Sequence, residues 1–199
     1  MKVGIIDIGI GNLASVKNAV LKIGMKPNLC NDAELLSTFD AVILPGVGAF
    51  PAAMKSIQET QFDCAIYDYL KTGKVLVGIC LGMQLLLSES DEIKKTKGLD
   101  LISGQVETLR GITKYAIPHI GWNNIETDIE DFKKYEGDYY FVHSYYCNLK
   151  NDKNLLFKCN YENDFPAAIY SDTIYGLQFH PEKSQNLGLN LLSKCLRSC

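Results

Sequence analysis

The stretch from Lys74 to Ser88, KVLVGICLGMQLLLS, constrains this chain more than any other. Lys74 to Ile79 is a short apolar run rich in β-branched residues and reads as a buried strand. Leu81 to Leu87 is apolar with no turn residue after Gly82 and reads as a buried helix. Between them, Gly78-Ile79-Cys80-Leu81-Gly82 forms a G-x-C-x-G version of the strand-to-helix nucleophile elbow. The glycines let the backbone turn sharply and leave room around the central side chain. That geometry lifts the Cys80 sulfur to the top of a sheet, at the start of the next helix, where the dipole favours a thiolate. It also leaves the Leu81 N–H to meet a developing oxyanion. A buried structural cysteine between two glycines carries the same five letters, so the elbow alone leaves both roles open.

A cysteine nucleophile needs a base, and the base needs an orienting group. The chain has three histidines. His180 ends the apolar run IYGLQF and is followed by Pro181 and Glu182. Pro181 fixes its own φ. The spacing can therefore return the carboxylate to the imidazole Nδ1–H and hold the tautomer that leaves Nε2 facing the thiol. His143 is a rival base, but only His180 has a carboxylate at fixed local spacing.

GICLGMQ (78–84) and GLQFHPEKS (176–184) resemble the class I, triad glutamine amidotransferases. PGVGAF (45–50), PHIGWN (118–123) and YFVHSYY (140–146) narrow the resemblance to the glutaminase subunits of imidazole glycerol phosphate synthases. The Met after CLG and the PHIGWN segment fit that group better than the anthranilate, carbamoyl-phosphate or GMP synthase glutaminases. The likeness runs from DIGIGNLAS near the start to the last helix, and the family's usual Tyr is replaced by Ile8. It implies hydrolysis of the L-glutamine side-chain amide by Cys80, His180 and Glu182, with no metal or organic cofactor. It implies an oxyanion hole from Leu81 and the backbone around Val47 and Gly48, after a peptide flip in that strand. Gln84, Glu92, Ser144 and Tyr145 would hold the substrate. Gln84 has independent support, because it lies one helical turn beyond Cys80 on the same face. Asn12, His119, Trp122, Asn123, Tyr140 and Lys183 would face the partner or the ammonia exit. The implied partner is a separate (β/α)8-barrel cyclase, giving a heterodimer that makes imidazole glycerol phosphate and an aminoimidazole carboxamide ribotide in histidine biosynthesis. Rival readings are a paralogous subunit feeding a sugar amidotransferase, a stand-alone γ-glutamyl hydrolase, and a regulatory subunit without catalysis. The interface-like PHIGWN and PEKS segments argue against the second, and the intact triad against the third.

The 199 residues fit one domain spanning 1–199, with no repeat and no dividing linker. A net charge of −3 gives no nucleic-acid footprint. Seven cysteines without a C-x-x-C suggest neither a zinc site nor a disulfide framework. No signal-peptide core or membrane span is read, so a reducing cytoplasmic location is expected. Alternating strands and helices in the first half predict an open, mostly parallel, flavodoxin-like α/β sheet flanked by helices. Strands are expected at Lys2–Ile8, Pro27–Asn31 and Asp40–Leu44, and helices at Leu13–Ile23, at Ala33–Phe39 and within 51–72. The segment Ser88–Gly98 reads as a loop. Beyond it, additional antiparallel strands are expected at Gly104–Leu109, Asn123–Thr127, Tyr139–Cys147, Leu155–Tyr161, Ala167–Ser171 and Ile174–Phe179. A last helix from near Gln185 would bury Leu187, Leu191, Leu192 and Leu196. Gly9, Gly11 and Ala14 mimic a dinucleotide fingerprint with Asp32 downstream. The later motifs account for the chain without a dinucleotide.

Overall fold

The computed structural model describes residues 1–198. The strands are β1 (Lys2–Ile6), β2 (Lys26–Cys30), β3 (Ala41–Gly46), β4 (Val75–Cys80), β5 (Leu87–Ser90), β6 (Thr96–Lys97), β7 (Ile102–Thr108), β8 (His119–Glu126), β9 (Gly137–His143), β10 (Tyr145–Leu149), β11 (Leu155–Tyr161), β12 (Asn163–Ser171) and β13 (Ile174–Leu177). The helices are α1 (Leu13–Lys22), α2 (Phe50–Glu59), α3 (Phe62–Leu70), α4 (Leu81–Gln84) and α5 (Gln185–Leu196).

Nine strands form one sheet in the order β2-β1-β3-β4-β13-β12-β11-β8-β9. From β2 to β13 every pairing is parallel. From β13 to β9 every pairing is antiparallel. The expected parallel sheet thus holds for one half, and the C-terminal strands extend it in the opposite sense. A second sheet runs β10-β7-β5-β6.

Alternation along the parallel strands sorts the core into two clusters. Ile43, Val75, Val77 and Ile79 face one side with Val16, Val20, Leu191 and Leu192. Val42, Leu44 and Leu76 face the other with Phe50, Met54, Phe62 and Ile66. Helices α1 and α5 therefore cover one face, and α2 and α3 the other, as a parallel sheet buried on both sides requires.

Three expectations need correction. The helix after the elbow stops at Gln84 rather than Leu87. The Leu85, Leu86 and Leu87 carbonyls accept from the N–H groups of Leu99, Leu101 and Asp100, so the chain leaves the helix to pair with this segment. A four-residue helix has little macrodipole, which removes most of the expected dipole effect on Cys80. Second, 88–98 is not a plain loop, because it contains the end of β5 and all of β6. Third, the run Tyr139–Cys147 breaks at Ser144, where the chain passes from the nine-stranded sheet to the smaller one. Among smaller differences, Ala33–Thr38 is a 3-10 helix and Leu187 is half-buried. No helix among the described residues is long and apolar enough to cross a membrane.

Candidate active site

Cys80 ends β4 with φ 55° and ψ −112°, a conformation that an L-residue adopts only under constraint. The constraint is steric. A Cβ on Gly82 would sit 1.8 Å from the Leu44 carbonyl oxygen, and one on Gly78 would sit 2.5 Å from the Gly82 oxygen. The two glycines of the elbow therefore allow β3, β4 and α4 to pack backbone against backbone.

His180 lies three residues beyond β13, the parallel neighbour of β4. Its N–H donates to the Tyr140 carbonyl at 2.9 Å, and its own carbonyl accepts from Ser184 Oγ at 2.7 Å. Pro181–Lys183 forms a 3-10 turn that folds Glu182 back. His180 Nδ1 and Glu182 Oε1 are 2.8 Å apart, with side chains 5% and 2% exposed. Burial works against the imidazolium, but Cys80 and the hydrogen-bonded Glu182 carboxylate outweigh it and raise the His180 pKa to about 9. Among the described residues, His180 Nε2 and Glu182 Oε2 are the buried side-chain nitrogen and oxygen atoms without a hydrogen-bond partner. Each such orphan costs roughly 1–3 kcal/mol. Both belong to this pair, and Cys80 and His180 line the same cavity.

His143 is held differently. Its Nδ1 is 2.8 Å from the Tyr145 carbonyl, which only accepts, so Nδ1 carries the proton. Its Nε2 then accepts from His119 Nδ1 at 3.0 Å, and His119 Nε2 faces the Asn123 amide at 3.4 Å. Desolvation lowers both pKa values, to about 3 for His143 and about 4 for His119. A neutral His143 whose lone pair is already engaged is a poor base for Cys80.

Gln178 carried no role in the sequence reading, yet it is fully buried beside the sulfur. Gln84 Nε2 donates to the Tyr145 carbonyl at 3.0 Å and to Gln178 Oε1 at 3.1 Å. The carbonyl fixes the Gln84 amide, and that amide fixes Gln178, so Gln178 Nε2 points to Cys80 Sγ at 3.9 Å. A polar residue inside the apolar run IYGLQF was the available signal.

Val47, Gly48, Cys80, Leu81, Gln84, Glu92, Ser144, Tyr145 and His180 line one cavity of about 360 Å³, within the usual range for small-molecule sites. Pro118, Val142 and His143 complete its wall. Glu182 stands behind His180, outside the cavity lining. Gly48 has φ +102° and open space where a Cβ would be. Trp122, Tyr140 and Lys183 gather nearby: the Trp122 and Tyr140 ring centroids are 6.1 Å apart, and Lys183 Nζ is 5.5 Å from the Tyr140 centroid. Asn12 is exposed and caps α1 through Ser15 N–H at 3.3 Å. His119 is buried, stacked between Phe141 and Tyr161, rather than at the surface.

A family model described as glutamine amidotransferase class-I matches residues 4–199. The chain belongs to the class I glutamine amidotransferases. Relatives of this amidotransferase include the imidazole glycerol phosphate synthase subunit HisH of Halalkalibacterium halodurans, 43% identical over 95% of this chain and 92% of that one. The subunit of the same name from Listeria innocua is 45% identical over 94% and 91%. That of Methanosarcina barkeri is 42% identical over 100% and 99%. A solved glutamine amidotransferase superposes with TM-score 0.78 at 18% identity, covering 98% of this chain and 97% of its own. The structure of PurLQS from Thermotoga maritima superposes with TM-score 0.74 at 15% identity, covering 99% and 96%. At those identities the two structures speak for the fold.

Proposed function

We propose that this amidotransferase is the glutaminase subunit of an imidazole glycerol phosphate synthase in histidine biosynthesis. The observation that carries the chemistry is a strained Cys80 and a buried His180–Glu182 pair meeting at one cavity. The relatives' shared name supports the pathway.

L-Glutamine is the substrate. Cys80 attacks the side-chain amide carbon with its thiol proton held on His180 Nε2. The tetrahedral oxyanion is met by the Leu81 N–H and by a rotated N–H near Gly48, each such donor being worth about 3 kcal/mol of barrier. The C–N bond then breaks while His180 gives its proton to the leaving ammonia. With its pKa raised to about 9, His180 is an imidazolium at neutral pH and suited to that acid role. Water, deprotonated by His180, cleaves the γ-glutamyl thioester and releases glutamate. Glu182 keeps the imidazole oriented throughout. Gln84, Glu92, Ser144 and Tyr145 hold the amino-acid end of the substrate.

Ammonia released into water would protonate and lose its nucleophilicity. A protected transfer to a (β/α)8-barrel cyclase docked on the Trp122, Tyr140 and Lys183 face meets that requirement. The test is glutamate release by the chain alone, then with such a cyclase and its ribotide. A low rate that rises strongly with both supports the reading. A rate that stays low assigns the glutaminase to another acceptor enzyme, such as a sugar amidotransferase. A full rate alone overturns the partnered mechanism.

A further inference from the structure

Glu92 is held by its own turn. Its N–H donates to Oγ of the fully buried Ser90 at 3.1 Å. The next residue, Ile93, has φ 64° and a side chain turned to solvent. Left-handed backbone is costly for a β-branched residue, so this tight turn is imposed by its surroundings. Glu92 Oε2 then accepts from the Phe50 N–H at 2.7 Å, a contact between residues 42 apart in sequence.

Phe50 opens α2, and Ala49 before it has no side-chain cap. A carboxylate at this position satisfies an orphan N–H and meets the positive end of a ten-residue helix. Phe50 also lies two residues beyond Gly48, at the end of the loop that leaves β3. Among the described residues, the Glu92 contact is the one side-chain hydrogen bond to the backbone of 46–50. The same carboxylate lines the cavity beside Val47 and Gly48.

We infer that Glu92 is a positioning residue for the oxyanion loop as well as a substrate ligand. One carboxylate holds the substrate ammonium and the Phe50 N–H, so the occupant of the cavity and the backbone at Val47–Gly48 are set together. This rests on the glutaminase reading above.

Substitution separates the two duties. Glutamine at position 92 keeps an acceptor for Phe50 but loses the charge that attracts an ammonium, and alanine loses both. With the cyclase and ribotide present, Glu92→Gln and Glu92→Ala are both expected to raise KM for glutamine about tenfold or more. Glu92→Ala alone is expected to lower kcat, by about tenfold or more, while Glu92→Gln stays within about threefold. Equal kcat values in the two variants, or a change confined to KM in Glu92→Ala, overturn the inference. Hydrogen exchange in peptides covering 46–54 gives a readout without catalysis. It is expected to quicken in Glu92→Ala and to stay near wild type in Glu92→Gln, with thermal melts confirming that both fold. Unchanged exchange in Glu92→Ala also overturns the tether. A wild-type chain that releases no glutamate under any condition would instead sink the functional reading, and the exchange experiment would still decide the tether.

Discussion

Replacing Glu182 by glutamine isolates the electrostatic part of the His180–Glu182 pair with little change of shape. A carboxylate only accepts hydrogen bonds, so at 2.8 Å it forces the proton onto Nδ1 and leaves Nε2 toward Cys80. A glutamine amide can turn its NH2 to Nδ1, which puts the proton on Nε2 and gives the thiol a donor where it needs an acceptor. It also removes the charge opposite the imidazolium. At an effective dielectric of about 20, opposite charges about 4 Å apart attract by about 4 kcal/mol, roughly three decades in rate. The analogous loss in Ser-His-Asp hydrolases is about 10⁴ in kcat. Glu182→Gln is therefore expected to lower kcat by roughly 10³–10⁴. KM should change little, because Glu182 is not part of the cavity lining. The assay is steady-state glutamate release with partner and ribotide, alongside a thermal melt. Glutamine is the informative substitution, since alanine would strand a buried imidazolium at a cost of about 3–5 kcal/mol. A Glu182→Gln enzyme within tenfold of wild-type kcat would refute the claim that this carboxylate sets the state of His180.

Stability should be greatest near pH 6.5. The raised His180 pKa contributes stability that is complete below about 6.5 and is lost as pH rises through about 9, up to roughly 3 kcal/mol. The lowered His119 and His143 values withdraw stability as pH falls from about 6.5 toward 4 and 3. Melting curves from pH 4 to 10 check both arms, and a His180→Gln deficit that does not shrink between pH 6.5 and 9.5 would contradict the alkaline one. Gly82→Ala drives a Cβ into the Leu44 carbonyl and is expected to cost more than about 3 kcal/mol or prevent folding. Gly111→Ala, with nothing within 4 Å of its Cβ, should stay within about 0.5 kcal/mol in denaturant titrations. His180→Gln should lower kcat by about 10³ or more, and His143→Gln by far less, because His143 already spends its lone pair on His119. The reverse order in glutamate release would move the base to His143.

The elbow was legible because most of its demands are local. Gly78 is required by a contact within the turn itself, Gly82 by the close approach of the turn to β3, and His180 and Glu182 sit across one proline. The continuation was not legible in the same way. Leu85–Leu87 suits a helix or a strand equally, and pairing with 98–102 decides between them. The run around Ser144 carries no Gly, Pro, Asn or Asp, and a lone Ser is a weak turn signal; the run breaks because its halves pair in two different sheets. Glu92 sits in the charged run SESDE, which reads as a solvated face. Its bond to Phe50 spans the chain, and only the assembled fold brings the two together.

Strand register explains why Cys80 and His180 meet. Strands β4 and β13 are parallel neighbours with Gly78 opposite Gly176, so both chains run off the same edge of the sheet. Two residues on from Gly78 is Cys80, and four residues on from Gly176 is His180. On the other side of β4, Gly46 lies opposite Cys80 and leads directly into Val47 and Gly48. Sulfur, imidazole and oxyanion loop thus share the carboxyl edge of adjacent parallel strands, where open α/β sheets place their ligands. The register is guarded by packing, since a Cβ on Gly176 would press to 2.7 Å from Met83 and 2.8 Å from Ile169. A slip of one residue would turn every β13 side chain to the opposite face and separate base from nucleophile. The antiparallel half carries no such constraint on the nucleophile. It supplies His143, and the small sheet that the chain enters next supplies Tyr145, with Ser144 between them; all three line the cavity. The substrate wall is therefore composite: Gln84 comes from α4 beside Cys80, Glu92 from the turn after β5, and Ser144 and Tyr145 from the passage between the two sheets.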